Sequence, residues 1–73
     1  YMNKKNKIKI VVNGKLLTVN LKFSLKNLVE KLKTPINKVA IELNEKIVDK
    51  KKLNKVFLKN KDKIEIVHFI GGG

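Results

Sequence analysis

A chain of 73 residues with 42% apolar content has room for one two-layer core, which excludes a two-domain enzyme with an interdomain cleft. A third of the residues are charged and the formal net charge is +12, yet the apolar fraction is too high for a disordered chain. With no cysteine, disulfide frameworks, thiolate metal sites and thiol nucleophiles are all removed.

No apolar run approaches the roughly 18–20 residues of a membrane span, and the longest, Ile66–Ile70, is broken by His68. Lys4, Lys5, Lys7 and Lys9 are not followed by the apolar stretch of a secretory signal, and Tyr1 ahead of Met2 reads as an added residue. A cytoplasmic single domain over 1–73 with no membrane partner is therefore expected. A domain of this size is expected to be stable by about 4–11 kcal/mol.

All 18 basic residues are lysines. Nucleic-acid readers rely on arginine for bidentate contacts and on aromatics for base stacking. Here arginine is absent and the aromatics are Tyr1, Phe23, Phe57 and Phe69, so nucleic acid is not an expected partner. Lys, Asn and Ile make up nearly half of the chain. Their A/T-rich codons explain the lysine excess through a biased genome. What the charge can still do is steer the domain toward acidic protein partners.

Residues 8–12 and 16–21 read as strands, and Asn13-Gly14 between them is the strongest short hairpin signal. Ser24 reads as a helix N-cap. Leu25, Leu28, Val29 and Leu32 follow at helical spacing, and Phe23 and Leu28 stand where a hydrophobic staple places them. The spacing predicts a helix of about ten residues, ended by Thr34-Pro35. Val39, Ile41 and Leu43 mark a third strand, residues 44–46 a turn and Ile47-Val48 a very short strand. Val56–Leu58 is expected as a 3₁₀ turn or an extended piece packed under the sheet. Residues 60–62 form a turn, and Ile64–Ile70 is the last strand. One helix inserted between a hairpin and the later strands must lay its apolar stripe on one sheet face. The expected fold is α+β: a β-grasp, or ubiquitin-like, mixed sheet of four to five strands. The pairing of the last strand beside the first follows from that architecture.

Catalytic machinery is not apparent. The single His68 has no nucleophile or metal-ligand partner at a useful spacing, so catalytic residues and a metal site are both expected to be absent. Glu30 reads as a solvated helix residue, and His68 as a partly buried structural histidine near the sheet end. Alternation along the last strand turns Glu65, Val67 and Phe69 to the uncovered face, where adjacent apolar side chains mark a docking surface. Beyond them Gly71, Gly72 and Gly73 form a slender, flexible tail. Three glycines reach about 10 Å and pass through a slot that no Cβ could enter. The terminal carboxylate, anionic at neutral pH, can attack the α-phosphate of ATP to give an acyl-adenylate and pyrophosphate. A sulfur nucleophile can then displace AMP.

Asn13-Gly14, the Ser24 helix, the Val39–Leu43 strand, the turn before Asp62 and the run Ile64-Glu65-Ile66-Val67-His68-Phe69-Ile70-Gly71-Gly72-Gly73 together resemble the ThiS family of sulfur carriers in thiamine biosynthesis. The likeness covers essentially residues 3–73, and its specific part is the C-terminal run. It implies a carrier, not an enzyme. By this resemblance Gly73 is adenylated and becomes a thiocarboxylate, Gly71 and Gly72 are its tail, and Val67 and Phe69 dock partners. The implied partners are a ThiF-like adenylyltransferase, a sulfur donor protein and a ThiG-like thiazole synthase. The carrier itself is expected to bind no cofactor, since ATP and Mg²⁺ belong to the adenylyltransferase. Many family members end in two glycines, where this chain has three. The alternatives are a MoaD-like carrier for molybdopterin synthesis, a ubiquitin-like protein modifier or an RNA-binding β-grasp domain. The first of these more often has a proline-bearing tail.

Overall fold

The computed structural model describes residues 6–69. Strands β1 (Lys7–Val12) and β2 (Lys15–Asn20) form the expected hairpin, with Ile8 opposite Val19 and Ile10 opposite Leu17. Asn13 and Gly14 both take positive φ, +48° and +82°, as a two-residue type I′ turn requires.

The Ser24 cap is present as a reciprocal box. The Asn27 amide donates to Ser24 Oγ and the Ser24 amide donates to Asn27 Oδ1, both at 3.0 Å. Helix α1 (Leu25–Lys31) has seven residues, shorter than its apolar spacing suggests. It stops because Lys33 enters the left-handed region at φ +55°. The Thr34 amide then bonds back to Val29 O and the Lys33 amide to Glu30 O, which closes a Schellman motif before Pro35 is reached. Leu32 becomes the cap residue and lies exposed, while Leu25, Leu28 and Val29 are buried.

A 3₁₀ turn (Ile36–Lys38) leads into β3 (Val39–Leu43), and β4 (Lys46–Ile47) returns antiparallel to it. The turn ends and β4 begins one residue earlier than the apolar pattern suggests. Asn44 and Glu45 alone make the reversal, at φ +51° and +71°. The 3₁₀ segment lies over Lys50–Lys55, where the Asp49 side chain caps the Lys51 amide and Leu53 enters the core. Residues 56–58 are extended, the second of the two expected forms. Val56 O accepts from the Leu25 amide, and Leu58 N–H donates to Phe23 O, so this piece pins the helix entry.

Strand β5 (Lys63–His68) completes a sheet of order β2-β1-β5-β3-β4. It runs parallel to β1 and antiparallel to β3, which is the β-grasp arrangement expected above. The core lies between the sheet and α1, around Ile10, Leu25, Leu28, Val39, Ile41 and Ile64, all fully buried. No helix among the described residues is long and apolar enough to cross a membrane.

Two turn asparagines extend the ladders of β5. The Ile66 amide donates to Asn13 Oδ1 at 2.7 Å and Asn13 Nδ2 donates to Ile66 O at 3.3 Å, beyond the last β1–β5 residue pair. On the other side the Lys63 amide donates to Asn44 Oδ1 at 2.9 Å, and Asn44 Nδ2 reaches Asp62 Oδ1. Asn13→Gly keeps the turn conformation but removes both bonds to Ile66. It is expected to cost about 1–3 kcal/mol, read as a lower denaturant midpoint with faster hydrogen exchange at Ile66.

Candidate functional site

The buried residues of β3 and β5, namely Val39, Ile41, Ile64 and Ile66, all turn toward the helix. Alternation therefore sends Ala40, Glu42, Glu65 and Val67 to the open face. The register pairs Ala40 with Val67 and Glu42 with Glu65, and Ile47 of β4 lies opposite Glu42. Val67 is 51% exposed and Ile47 76% exposed. The open face near the end of β5 is thus an apolar surface with two carboxylates directly opposite each other. Like charges in that relation oppose pairing, and they create an acidic spot on a strongly basic domain. Val67 and Glu65 lie on the face that alternation assigns them. Ala40, Glu42 and Ile47 join them only through cross-strand register, which no local pattern reports.

Phe69 follows the strand and is 51% exposed. Its amide donates to Lys38 O at 2.9 Å, and Lys50 Nζ lies 5.1 Å from its ring centroid, in reach of a cation–π interaction. The ring is therefore partly covered by the 3₁₀ segment at the point where the chain leaves the body. Phe69→Ala is expected to lower stability by about 1 kcal/mol and to weaken partner binding about tenfold. Calorimetry and a binding titration check the two effects separately. A loss of about 3–5 kcal/mol would instead make Phe69 a core residue.

His68 is exposed, not partly buried. It pairs with Val39 at the very end of the strand, and the last buried side chain on that side is Ile66. Glu30 is exposed on α1, as expected. Tyr1, Ile70 and the tail Gly71, Gly72 and Gly73 lie outside the described residues.

Comparison with known proteins accords with this geometry. The ThiS family model matches residues 10–73. A solved structure of a thiamine biosynthesis protein (ThiS) from Geobacter metallireducens superposes with a TM-score of 0.79. It is 29% identical to this chain and covers 90% of it and 100% of its own length. The sulfur carrier protein ThiS of Bacillus subtilis is 49% identical over 35 residues, covering 48% of this chain and 53% of its own length. A thiazole synthase of Paramagnetospirillum magneticum is 38% identical over 66 residues, 90% of this chain. The chain spans only 20% of that synthase's length. The family match runs from the middle of β1 through the open-face strand to the three glycines. The chain belongs to the ThiS family.

Proposed function

We propose that this chain is a sulfur carrier of thiamine biosynthesis whose working group is the Gly73 carboxyl. The observation that carries this reading is the family match, which includes the tail together with the body that presents it. In the first step a carboxylate oxygen of Gly73 attacks the α-phosphorus of ATP and pyrophosphate leaves. In the second, a sulfur nucleophile at the oxidation level of hydrosulfide attacks the acyl carbon and AMP leaves. The product is a thiocarboxylate, which a thiazole-forming enzyme consumes.

The chain's own residues supply presentation. β5, in the middle of the sheet, leads to the residues that precede the tail in sequence. Lys38 O and Lys50 hold Phe69 at its root, and Val67, Ala40 and Ile47 offer apolar contact beside it. A ThiF-like adenylyltransferase would supply ATP and Mg²⁺ and seat the tail, and a ThiG-like thiazole synthase would receive the sulfur. The match to thiazole synthases supports a place in that chemistry.

Intact mass spectrometry tests the proposal. After incubation with ATP, Mg²⁺, a ThiF-like adenylyltransferase and a sulfur source, the chain is expected to gain about 16 Da, one carboxyl oxygen replaced by sulfur. A mass that never changes under conditions in which a B. subtilis ThiS control is converted would overturn it.

A further inference from the structure

A groove of about 520 Å³ lies between α1 and the 3₁₀ segment, apart from the open face. Val29 and Leu53, both buried, contribute to its apolar lining. Lys26 and Lys33 line it from the helix side, and Lys50 and Lys51 from the 3₁₀ side. Lys26, Val29 and Glu30 fall at i, i+3 and i+4 on one stripe of the helix, and Lys33 joins them from just beyond the helix end. The Schellman closure of α1 satisfies the carbonyls of Val29 and Glu30.

We infer that this groove docks an acidic peptide segment of a partner protein, with an aliphatic side chain in the trough and carboxylates on the lysines. Charge complementarity selects an anion: four lysines line the trough against one acidic residue, Glu30. The apolar lining selects an aliphatic side chain. The polar groups favour a peptide over a small anionic ligand. A small-molecule site gathers fixed polar groups around a head-group, whereas the charges here sit on long side chains. No buried side-chain polar atom among the described residues lacks a partner that a ligand could supply. A nucleic acid is disfavoured because no aromatic side chain lines the groove for base stacking.

Lys50 gives the groove a connection to the tail, because the same ammonium lies over the Phe69 ring. A carboxylate that draws Lys50 into the groove uncovers Phe69. This coupling rests on the carrier reading, while peptide binding itself does not.

The test uses the isotope-labelled chain and an acetylated, amidated peptide of sequence Glu-Asp-Leu-Glu-Asp, followed by amide chemical shifts. Shifts are expected at Val29, Lys33, Thr34 and Leu53, and at Phe69 through Lys50. The double variant Lys33→Glu/Lys51→Glu is expected to weaken binding about tenfold. The control Lys15→Glu/Lys59→Glu, with the same net charge and neither position in the groove, should change it less than about twofold. All four lysines are exposed, so both variants should fold. Replacing the leucine of the peptide with serine should also weaken binding. Equal losses in the two variants, shifts confined to the open sheet face, or the same shifts with sulfate alone would overturn the proposal. If binding is as expected but Phe69 does not shift, the groove stands and its coupling to the tail fails. Because no step needs ATP or sulfur, failure here leaves the carrier reading intact, and failure of the mass test leaves the groove intact.

Discussion

A chain truncated after Gly71 is expected to stay at its starting mass when given ATP, a ThiF-like adenylyltransferase and a sulfur source, while its circular dichroism and unfolding midpoint remain those of the full chain. The two halves of this expectation have different physical origins. The hydrophobic core is assembled from residues between Ile8 and Ile66, so removing Gly72 and Gly73 takes away no core side chain. The proposed chemistry, by contrast, requires a carboxylate at a set distance from a docked body. Two missing residues withdraw it by about 7 Å, far beyond the tolerance of a reaction that needs its atoms within van der Waals contact. Removing Gly73 alone leaves a Gly-Gly end about 3.5 Å short. A strong loss of conversion is expected there too, and it would separate the need for reach from the need for a terminal glycine. Conversion of the shorter truncation at the full rate would refute a length-dependent tail.

Ile64→Ala is expected to remove about 2–5 kcal/mol from a domain worth about 4–11 kcal/mol in total, leaving much of it unfolded at moderate temperature. Ile64 is fully buried on β5, the central strand of the sheet, and it faces Leu43 across the β3 ladder. The alanine leaves a void in the core cluster that also holds Ile10, Ile41, Leu25 and Leu28. Val67→Ala, three residues on and half exposed, is expected to change stability by less than about 0.5 kcal/mol. Thermal denaturation of the pair measures the contrast directly. If the two substitutions cost the same, the division of β5 into a buried and an open side is wrong.

The features readable from sequence are those whose cause is local. Asn13-Gly14 announces its turn because few residue pairs accept two positive φ values. Ser24 announces a helix start because its hydroxyl serves an amide three residues away. Alternation places Val67 on the open face for the same reason. Features that depend on distant partners, or on a residue in an uncommon backbone conformation, were hidden. The end of α1 depends on Lys33 adopting a conformation that favours glycine, so the apolar spacing through Leu32 overstates the helix. The opposition of Glu42 and Glu65, and the arrival of Ile47 beside them, follow from register. The asparagines are the clearest case. Codon bias accounts for their number, yet Asn13, Asn27, Asn44 and Asn60 each bond backbone amides with their side chains, three of them across 19, 51 and 53 residues. Composition counts such residues but cannot say which backbone each one meets.

The clamps of Asn13 and Asn44 on β5 have a mechanical consequence. A partner that threads the tail into a narrow channel pulls along the axis of that strand. β1 runs alongside in the same direction and β3 in the opposite one, so the load falls in shear across both ladders at once. Many bonds must then break together, not one after another, and resistance to such a pull is set by the unfolding barrier and not by equilibrium stability. The domain can thus be modest in thermodynamic terms and still behave as a stiff handle while its end is drawn in and released.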